Sequence, residues 1–82
     1  MISLVNKSFF LTGMGSGIGL ATARLITNLG GTVAGTIEHQ DQAQAVEGIV
    51  APNLCFCLDV TDTPSLQKAV NTAAHQLQGL DG

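Results

Sequence analysis

The chemically most informative part of the sequence is a glycine loop, defined here as residues 12–19, with glycine at positions 13, 15, 17 and 19. Glycine adopts positive φ readily and lets other groups approach the backbone closely. An apolar run at residues 8–12 precedes the loop and a helical pattern follows it, so it joins a strand to a helix. The first turn of such a helix offers unpaired N–H groups and a positive dipole end to an anion. The loop therefore predicts phosphate binding, and the absence of Gly-Lys-Ser/Thr excludes a P-loop.

Two carboxylates follow apolar runs farther along the chain: Glu38 after residues 32–37, and Asp59 after residues 54–58. A carboxylate after the second strand usually holds the ribose hydroxyls of NAD, whereas an arginine accommodates the phosphate of NADP. Neither the glycine loop nor residues 37–42 contain Lys or Arg, so Glu38 would repel a 2′-phosphate. We therefore expect NAD, with NADP as the less favoured cofactor. Two alternatives remain open: Glu38 is an exposed turn residue, and Asp59 is a cap or turn residue.

The remaining reactive side chains predict neither a metal site nor a catalytic group. Cys55 and Cys57 lie two apart, which in one strand precludes an unstrained disulfide, and two ligands are too few for structural zinc. We expect both to be buried, reduced thiols, typical of a cytoplasmic protein. His75 has no nearby carboxylate or nucleophile and is expected at the surface.

The elements that must position these residues alternate as β-α-β-α-β-α, which predicts a parallel sheet with right-handed crossovers. The first helix is expected from Ser16 to about Leu29, ended by the Gly30-Gly31 pair. Its inward stripe is predicted from the spacing of four apolar or half-apolar residues: Ile18, Thr22, Leu25 and Leu29.

The second half of the chain continues the alternation. The second strand is predicted at residues 32–37, a weaker helix from Asp41 to about Ile49, and a third strand, covered on both faces, at residues 54–58. Thr63 is expected to cap a helix that ends near Gly79. Its inward face is predicted to consist of Leu66, Val70, Ala73 and Leu77.

Composition limits the partners. The chain has 82 residues, 45% hydrophobic and 11% charged, which is the size of one small domain. A net charge of −3, with Lys7, Arg24 and Lys68 as the only Lys and Arg residues, argues against nucleic acid and anionic membranes. The sequence contains no apolar run of the ~20 residues that a membrane span needs.

Two motifs in order resemble the short-chain dehydrogenase/reductase family. The spacing Thr-Gly-x-x-x-Gly-x-Gly is filled by residues 12–19, and Asp59-Val60 follows the third strand, where that family often places an Asp-Val. The final Leu80-Asp81-Gly82 is similar to the approach to the family's Asn-Asn-Ala-Gly strand. The resemblance implies the first half of a doubly wound Rossmann-like fold, with residues 1–82 as a partial dinucleotide-binding domain that stops before the fourth strand.

The resemblance also implies roles. The pyrophosphate and nearby ribose would be lined by Gly13, Ser16, Gly17, Ile18 and Gly19. Asp59 would accept from the adenine amino group, with Val60 beside the ring, and the family's usual acidic position falls on Ile37, one residue before Glu38. Family members transfer hydride between a nicotinamide cofactor and an alcohol or carbonyl, using a Tyr-x-x-x-Lys motif. This chain has no Tyr, so no catalytic residue can be assigned in it, and it is expected to be inactive alone.

The family's strand order, 3-2-1-4-5-6, would leave the first strand as an unpaired edge in this chain. We therefore expect a marginally stable domain that associates with itself or with a complementing chain. The alternative function is a non-catalytic nucleotide-binding or assembly module that works only with such a partner. A methyltransferase-type fold binding S-adenosylmethionine is a third possibility, which the glycine spacing and Asp59-Val60 disfavour.

Overall fold

The computed structural model describes residues 2–82, which form an open, three-stranded parallel sheet with helices. The strands are β1 (Ser8–Leu11), β2 (Thr32–Ile37) and β3 (Cys55–Cys57), in the order β1-β2-β3. The helices are α1 (Gly17–Asn28) and α2 (Thr63–Leu77), with 3-10 helices at Gln40–Val46 and Pro52–Leu54. The predicted Rossmann-like α/β fold is confirmed.

The central strand β2 carries the core, since all of its residues except Thr32 are buried. Its register places Val33 beside Phe9 and Ala34 beside Phe10, so alternate positions line opposite faces of the sheet. Because crossovers between parallel strands are right-handed as a rule, α1 and the 3-10 helix Gln40–Val46 belong to one face of the sheet, and α2, which returns towards β1, belongs to the other. The buried cluster comprises Met14, Ala23, Ile26, Val33, Ala34, Ile37, Val46, Val50, Leu54 and Ala73.

The far edge of β1 is not left bare, contrary to the sequence-based expectation. The backbone N–H of Asp81 donates to the carbonyl oxygen of Ser8 (2.7 Å), and that of Phe10 donates to Gly82 (2.8 Å). The N–H of Ser8 donates to Oδ2 of Asp81 (2.8 Å). Because α2 crosses back over the sheet, it delivers residues 81–82 to this edge, where they run in the same direction as β1.

Asp81→Ala is expected to lower the free energy of unfolding by about 1 kcal/mol, because the Ser8 N–H loses its acceptor. Urea denaturation monitored by circular dichroism measures the change. Asp81→Asn is the matched control, since its amide oxygen can still accept, and it should lose less than half as much. Equal losses in the two variants would contradict a role for this hydrogen bond.

The inward face of α1 differs from the predicted stripe. Ala23 and Ile26 are its buried residues, whereas Ile18 is 87% exposed and Leu25 is 58% exposed. Gly19, Ala23 and Ile26 also step by four and three, so periodicity alone did not distinguish the two stripes. The stripe with the smaller side chains faces inward because it lets the helix approach the glycine loop and sheet closely.

Two further elements depart from expectation between β2 and α2. The predicted weak α-helix is a 3-10 helix, in which Ala43 and Val46, three residues apart, both pack against the core. Strand β3 is shorter than predicted, and its burial was overestimated: Cys55 is half-buried and Cys57 is exposed. Both thiols are free. As an edge strand, β3 receives less cover than the central strand β2.

The cap of α2 is also one residue earlier than predicted. Asp62, not Thr63, is the N-cap, and its carboxylate accepts from the Ser65 N–H (3.4 Å) and hydroxyl (2.7 Å). Of the predicted inward residues, Ala73 is fully buried while Leu66, Val70 and Leu77 are half-buried, and Ala69 joins the buried face. No helix within residues 2–82 is long and apolar enough to cross a membrane.

Candidate functional site

A cavity of about 260 Å³ opens where the carboxyl ends of the three strands meet. In an open parallel sheet this edge is where ligands bind. Segments following β1, β2 and β3 all contribute to the wall. Its lining residues are Thr12, Gly13, Gly15, Ser16, Thr36, Ile37, Glu38, Gln42, Leu58 and Val60.

Thr36 of β2 anchors the glycine loop over this edge. Its hydroxyl oxygen accepts from the Gly13 N–H (3.0 Å), and its carbonyl oxygen accepts from the Met14 N–H (2.9 Å). Thr36 is 1% exposed and Met14 is fully buried, so both polar and apolar contacts hold the loop against the sheet. Two features of the sequence could have indicated this anchoring: a threonine within an apolar strand and a lone methionine among glycines.

The glycines of the loop serve different purposes. Gly13 (φ +65°) and Gly17 (φ +58°) have left-handed backbones and open space where a side chain would stand. A Cβ on Gly19 would collide with the carbonyl oxygen of Gly13, so here glycine permits a close approach. Gly35 of β2, which the sequence did not single out, is equally constrained, because a Cβ there would meet the Leu11 carbonyl oxygen.

The N-terminus of α1 is left open to a ligand. Ser16 is the N-cap with an extended backbone (φ −163°, ψ 167°), and within the described residues its side chain accepts no capping hydrogen bond. The first turn of α1 carries no acidic residue. Its first N–H groups are therefore available to an anion, whereas the first turn of α2 is occupied by Asp62.

Glu38 lies at the end of β2, exposed and in the wall of the cavity. Its backbone N–H donates to Oε1 of Gln42 (2.9 Å), and its carbonyl oxygen accepts from the Cys57 thiol (3.7 Å). Among the residues described, none of the three Lys and Arg side chains lines the cavity. The wall is therefore negative near Glu38 and positive only at the α1 dipole end.

Asp59 is exposed and is not among the lining residues, although its neighbour Val60 is. Oδ1 of Asp59 accepts from the hydroxyl (2.7 Å) and the backbone N–H (2.9 Å) of Thr61. These two hydrogen bonds, chiefly the one from the hydroxyl, lower the pKa of Asp59 below its ordinary value. Asp59 thus makes the local turn, and its predicted contact with adenine remains a prediction.

Thr61→Val should raise the pKa of Asp59 towards its ordinary value, because the stronger of its two hydrogen-bond donors is removed. A lowered pKa in the folded state stabilises the fold above the unfolded pKa, and this contribution is lost as the pH falls through the folded pKa. Titration of the Asp59 carboxyl by NMR measures the shift. An unchanged Asp59 pKa in Thr61→Val would show that the hydroxyl does not control it.

The structure gathers four of the eight predicted site residues into one wall: Gly13, Ser16, Glu38 and Val60. Gly17 and Gly19 lie in the adjoining first turn of α1, whereas Ile18 points away from the core and Asp59 lies outside the lining. Sequence reasoning missed Gly15, Thr36, Gln42 and Leu58 as lining residues. Within residues 2–82, no group of three or more His, Cys, Asp or Glu side chains could hold a metal ion.

Solved structures share this fold closely. A short chain dehydrogenase from Burkholderia cenocepacia J2315, in complex with NADP, matches 98% of this chain with 32% identity and a TM-score of 0.86. A blue fluorescent protein from a metagenomic library, in complex with NADPH, matches 98% with 26% identity and a TM-score of 0.83. A 3-ketoacyl-(acyl-carrier-protein) reductase from Brucella melitensis, complexed with NADH, matches 96% with 24% identity and a TM-score of 0.85, which supports the fold alone.

The chain spans about a third of the length of these proteins, covering 35%, 35% and 33% of them in the same order. No curated protein matches it. The family model for short chain dehydrogenases matches residues 7–82, which include the glycine loop, the cavity and both predicted carboxylates. The chain belongs to the short chain dehydrogenase family.

Proposed function

We propose that this chain is the part of an oxidoreductase that binds a nicotinamide dinucleotide. The observation that carries the proposal is the uncapped N-terminus of α1 beneath a glycine loop, at the edge of a cavity formed by all three strands. A pyrophosphate needs backbone donors and close approach, and both are present. Gly13 and Gly17 leave open space where any other residue would place a Cβ, so the loop fits such a group.

The lining residues divide between the parts of a dinucleotide. The N–H groups of the first turn of α1, with Gly13 and Ser16, would bind the pyrophosphate, and Ile18 would contact the adjoining ribose. At the end of β2, Glu38 would accept from the hydroxyls of the adenosine ribose. Val60 would pack beside the adenine ring and Asp59, through the oxygen not used by Thr61, would accept from its amino group.

NAD is proposed over NADP on the charge of this wall. Glu38 is the only acidic residue among the lining residues, and none of them is a Lys or Arg that could neutralise a 2′-phosphate. The solved Burkholderia and metagenomic proteins carry NADP and NADPH, so the family accommodates the phosphorylated cofactor. The preference for NAD is therefore a property proposed for this site, set by Glu38.

The nicotinamide of a bound cofactor supplies hydride chemistry, and the whole protein is proposed to exchange hydride with an alcohol or carbonyl substrate. Residues 1–82 contain no Tyr, so the family's Tyr-x-x-x-Lys motif has no counterpart among them. The role proposed for the described residues is to bind and orient the cofactor.

Isothermal titration of the intact protein with NAD and NADP tests the proposal. NAD should bind about tenfold more tightly, corresponding to about 1.4 kcal/mol. S-adenosylmethionine, which lacks a pyrophosphate, is the control ligand and should not bind. Failure to bind either dinucleotide would overturn the proposed function, and tighter binding of NADP would overturn the cofactor preference alone.

A further inference from the structure

Gln42 joins two parts of the site that are far apart in sequence. Its Oε1 accepts from the backbone N–H groups of Glu38 (2.9 Å) and His39 (3.2 Å), the residues that follow β2. Its side chain also lines the cavity. One amide oxygen therefore holds both backbone donors of the turn that carries Glu38.

The same side chain packs against the glycine loop. A Cβ built on Gly15 would lie 2.7 Å from Cβ and 2.9 Å from Cδ of Gln42, so Gly15 is buried directly against it. The backbone of Gly15 does not have positive φ, and the need for glycine here is one of space. Gln42 therefore spans the gap between the loop proposed for the pyrophosphate and the acidic turn proposed for the ribose.

We infer that Gln42 is a positioning residue that sets the preference for NAD over NADP by fixing Glu38 relative to the glycine loop. This inference rests on the proposed function and deepens it. A carboxylate on a mobile turn can swing away from a 2′-phosphate or fail to meet a ribose diol. Holding the Glu38 backbone restricts both movements. Since the pyrophosphate and the ribose are at a nearly fixed separation in the ligand, a carboxylate fixed relative to the glycine loop is also fixed relative to the ribose.

A purely local role is the competing explanation. Gln42 is the third residue of the 3-10 helix Gln40–Val46, and its contact with His39 is one half of a capping box. If capping were its whole role, losing the side chain would weaken folding but would change the affinities for NAD and NADP equally. The two roles therefore differ in the ratio of the two affinities.

Two substitutions separate these roles. Gln42→Met keeps the length of the side chain but removes the acceptor, and it should weaken NAD binding about tenfold without weakening NADP binding. Gln42→Glu keeps an acceptor oxygen, so it should keep the Glu38 turn in place, and its added negative charge should weaken NADP binding more than NAD binding. Gln44→Met, at an exposed position of the same 3-10 helix, is the matched control and should behave as the wild type.

A third variant approaches the contact from the other side. Gly15→Ala places a methyl group against the Cβ of Gln42, which must shift. Its NAD affinity should fall in the same direction as that of Gln42→Met. Combining Gly15→Ala with Gln42→Met should cost little more than either alone, because both disturb one contact.

Titration calorimetry with NAD and NADP, and amide hydrogen exchange of Glu38 and His39 by NMR, are the measurements. Both amides should exchange faster in Gln42→Met and at the wild-type rate in Gln42→Glu. The inference is overturned if these exchange rates do not change, or if Gln42→Met lowers both affinities by the same factor. If the wild type binds neither dinucleotide, the proposed function fails, while the exchange rates still show whether Gln42 holds the turn.

Discussion

Gly19→Ala should lower the free energy of unfolding by about 3 kcal/mol and abolish dinucleotide binding. The new methyl carbon would overlap the carbonyl oxygen of Gly13, and would lie 2.8 Å from the Gly13 carbonyl carbon and 3.1 Å from Cα of Met14. These are backbone atoms, which cannot rotate out of the way as a side chain can. The loop would have to move as a unit.

Movement of the loop is costly because it is held at two adjacent residues. The N–H groups of Gly13 and Met14 both donate to Thr36, and the Met14 side chain is fully buried. Displacing the loop breaks these hydrogen bonds and opens the packing around Met14. The expected loss is therefore larger than that of an ordinary glycine-to-alanine change within a helix, which is close to neutral or stabilising.

Chemical denaturation followed by far-ultraviolet circular dichroism measures the loss for Gly19→Ala. Gly48→Ala is the control, since Gly48 has φ +80° but nothing within 4 Å of its Cβ position. That variant should lose about 1 kcal/mol from backbone strain alone. If Gly19→Ala were no more destabilising than Gly48→Ala, the close approach of α1 to the loop would be refuted.

Glu38→Arg should reverse the proposed preference for NAD, raising NADP affinity and lowering NAD affinity. A charge in the cavity wall near a 2′-phosphate contributes several kcal/mol at an effective dielectric of about 20. Because Glu38 is exposed and salt screens the charge, we expect this interaction to be reduced to about 1.4 kcal/mol, or tenfold in affinity. The same magnitude applies to the repulsion by a carboxylate and to the attraction by a guanidinium. Exchanging repulsion for attraction should therefore change NADP affinity by about a hundredfold.

Titration of both cofactors at low and high salt measures the reversal in Glu38→Arg. The gain for NADP should shrink as salt increases, because the interaction is screened. Glu47→Arg changes the net charge equally at an exposed carboxylate outside the cavity, and it should leave both affinities unchanged. A Glu38→Arg protein that still preferred NAD, or a Glu47→Arg protein that switched preference, would show that Glu38 does not discriminate.

Much of the architecture can be predicted from the amino-acid sequence. The strand β2, the ends of α1 and the end of α2 near Gly79 follow from β-branched runs, terminal glycines and apolar periodicity. These signals are local, since they act through the conformational preferences of a few neighbouring residues. The position of the glycine loop between β1 and α1 follows from signals of the same local kind.

Local signals were insufficient wherever one sequence pattern was compatible with two different structures. Both stripes of α1 step by four and three, and only packing against the glycine loop and sheet turned Ala23 and Ile26 inward, leaving Ile18 exposed. Likewise, the Gln/Ala-rich segment after β2 forms a 3-10 helix in place of the predicted α-helix, with Ala43 and Val46 against the core.

The amino-acid sequence alone determined the order of strands, the family and the glycine loop after β1, because these depend on residues adjacent along the chain. The tertiary structure alone decided that Thr36 holds the loop, that Gln42 joins it to the Glu38 turn, and that Asp81 covers the edge of β1. Each of these contacts depends on how strands and loops meet in space. A hydrogen bond such as that from Ser8 to Asp81, 73 residues apart, forms only after the sheet has been assembled and leaves no periodic trace in the sequence.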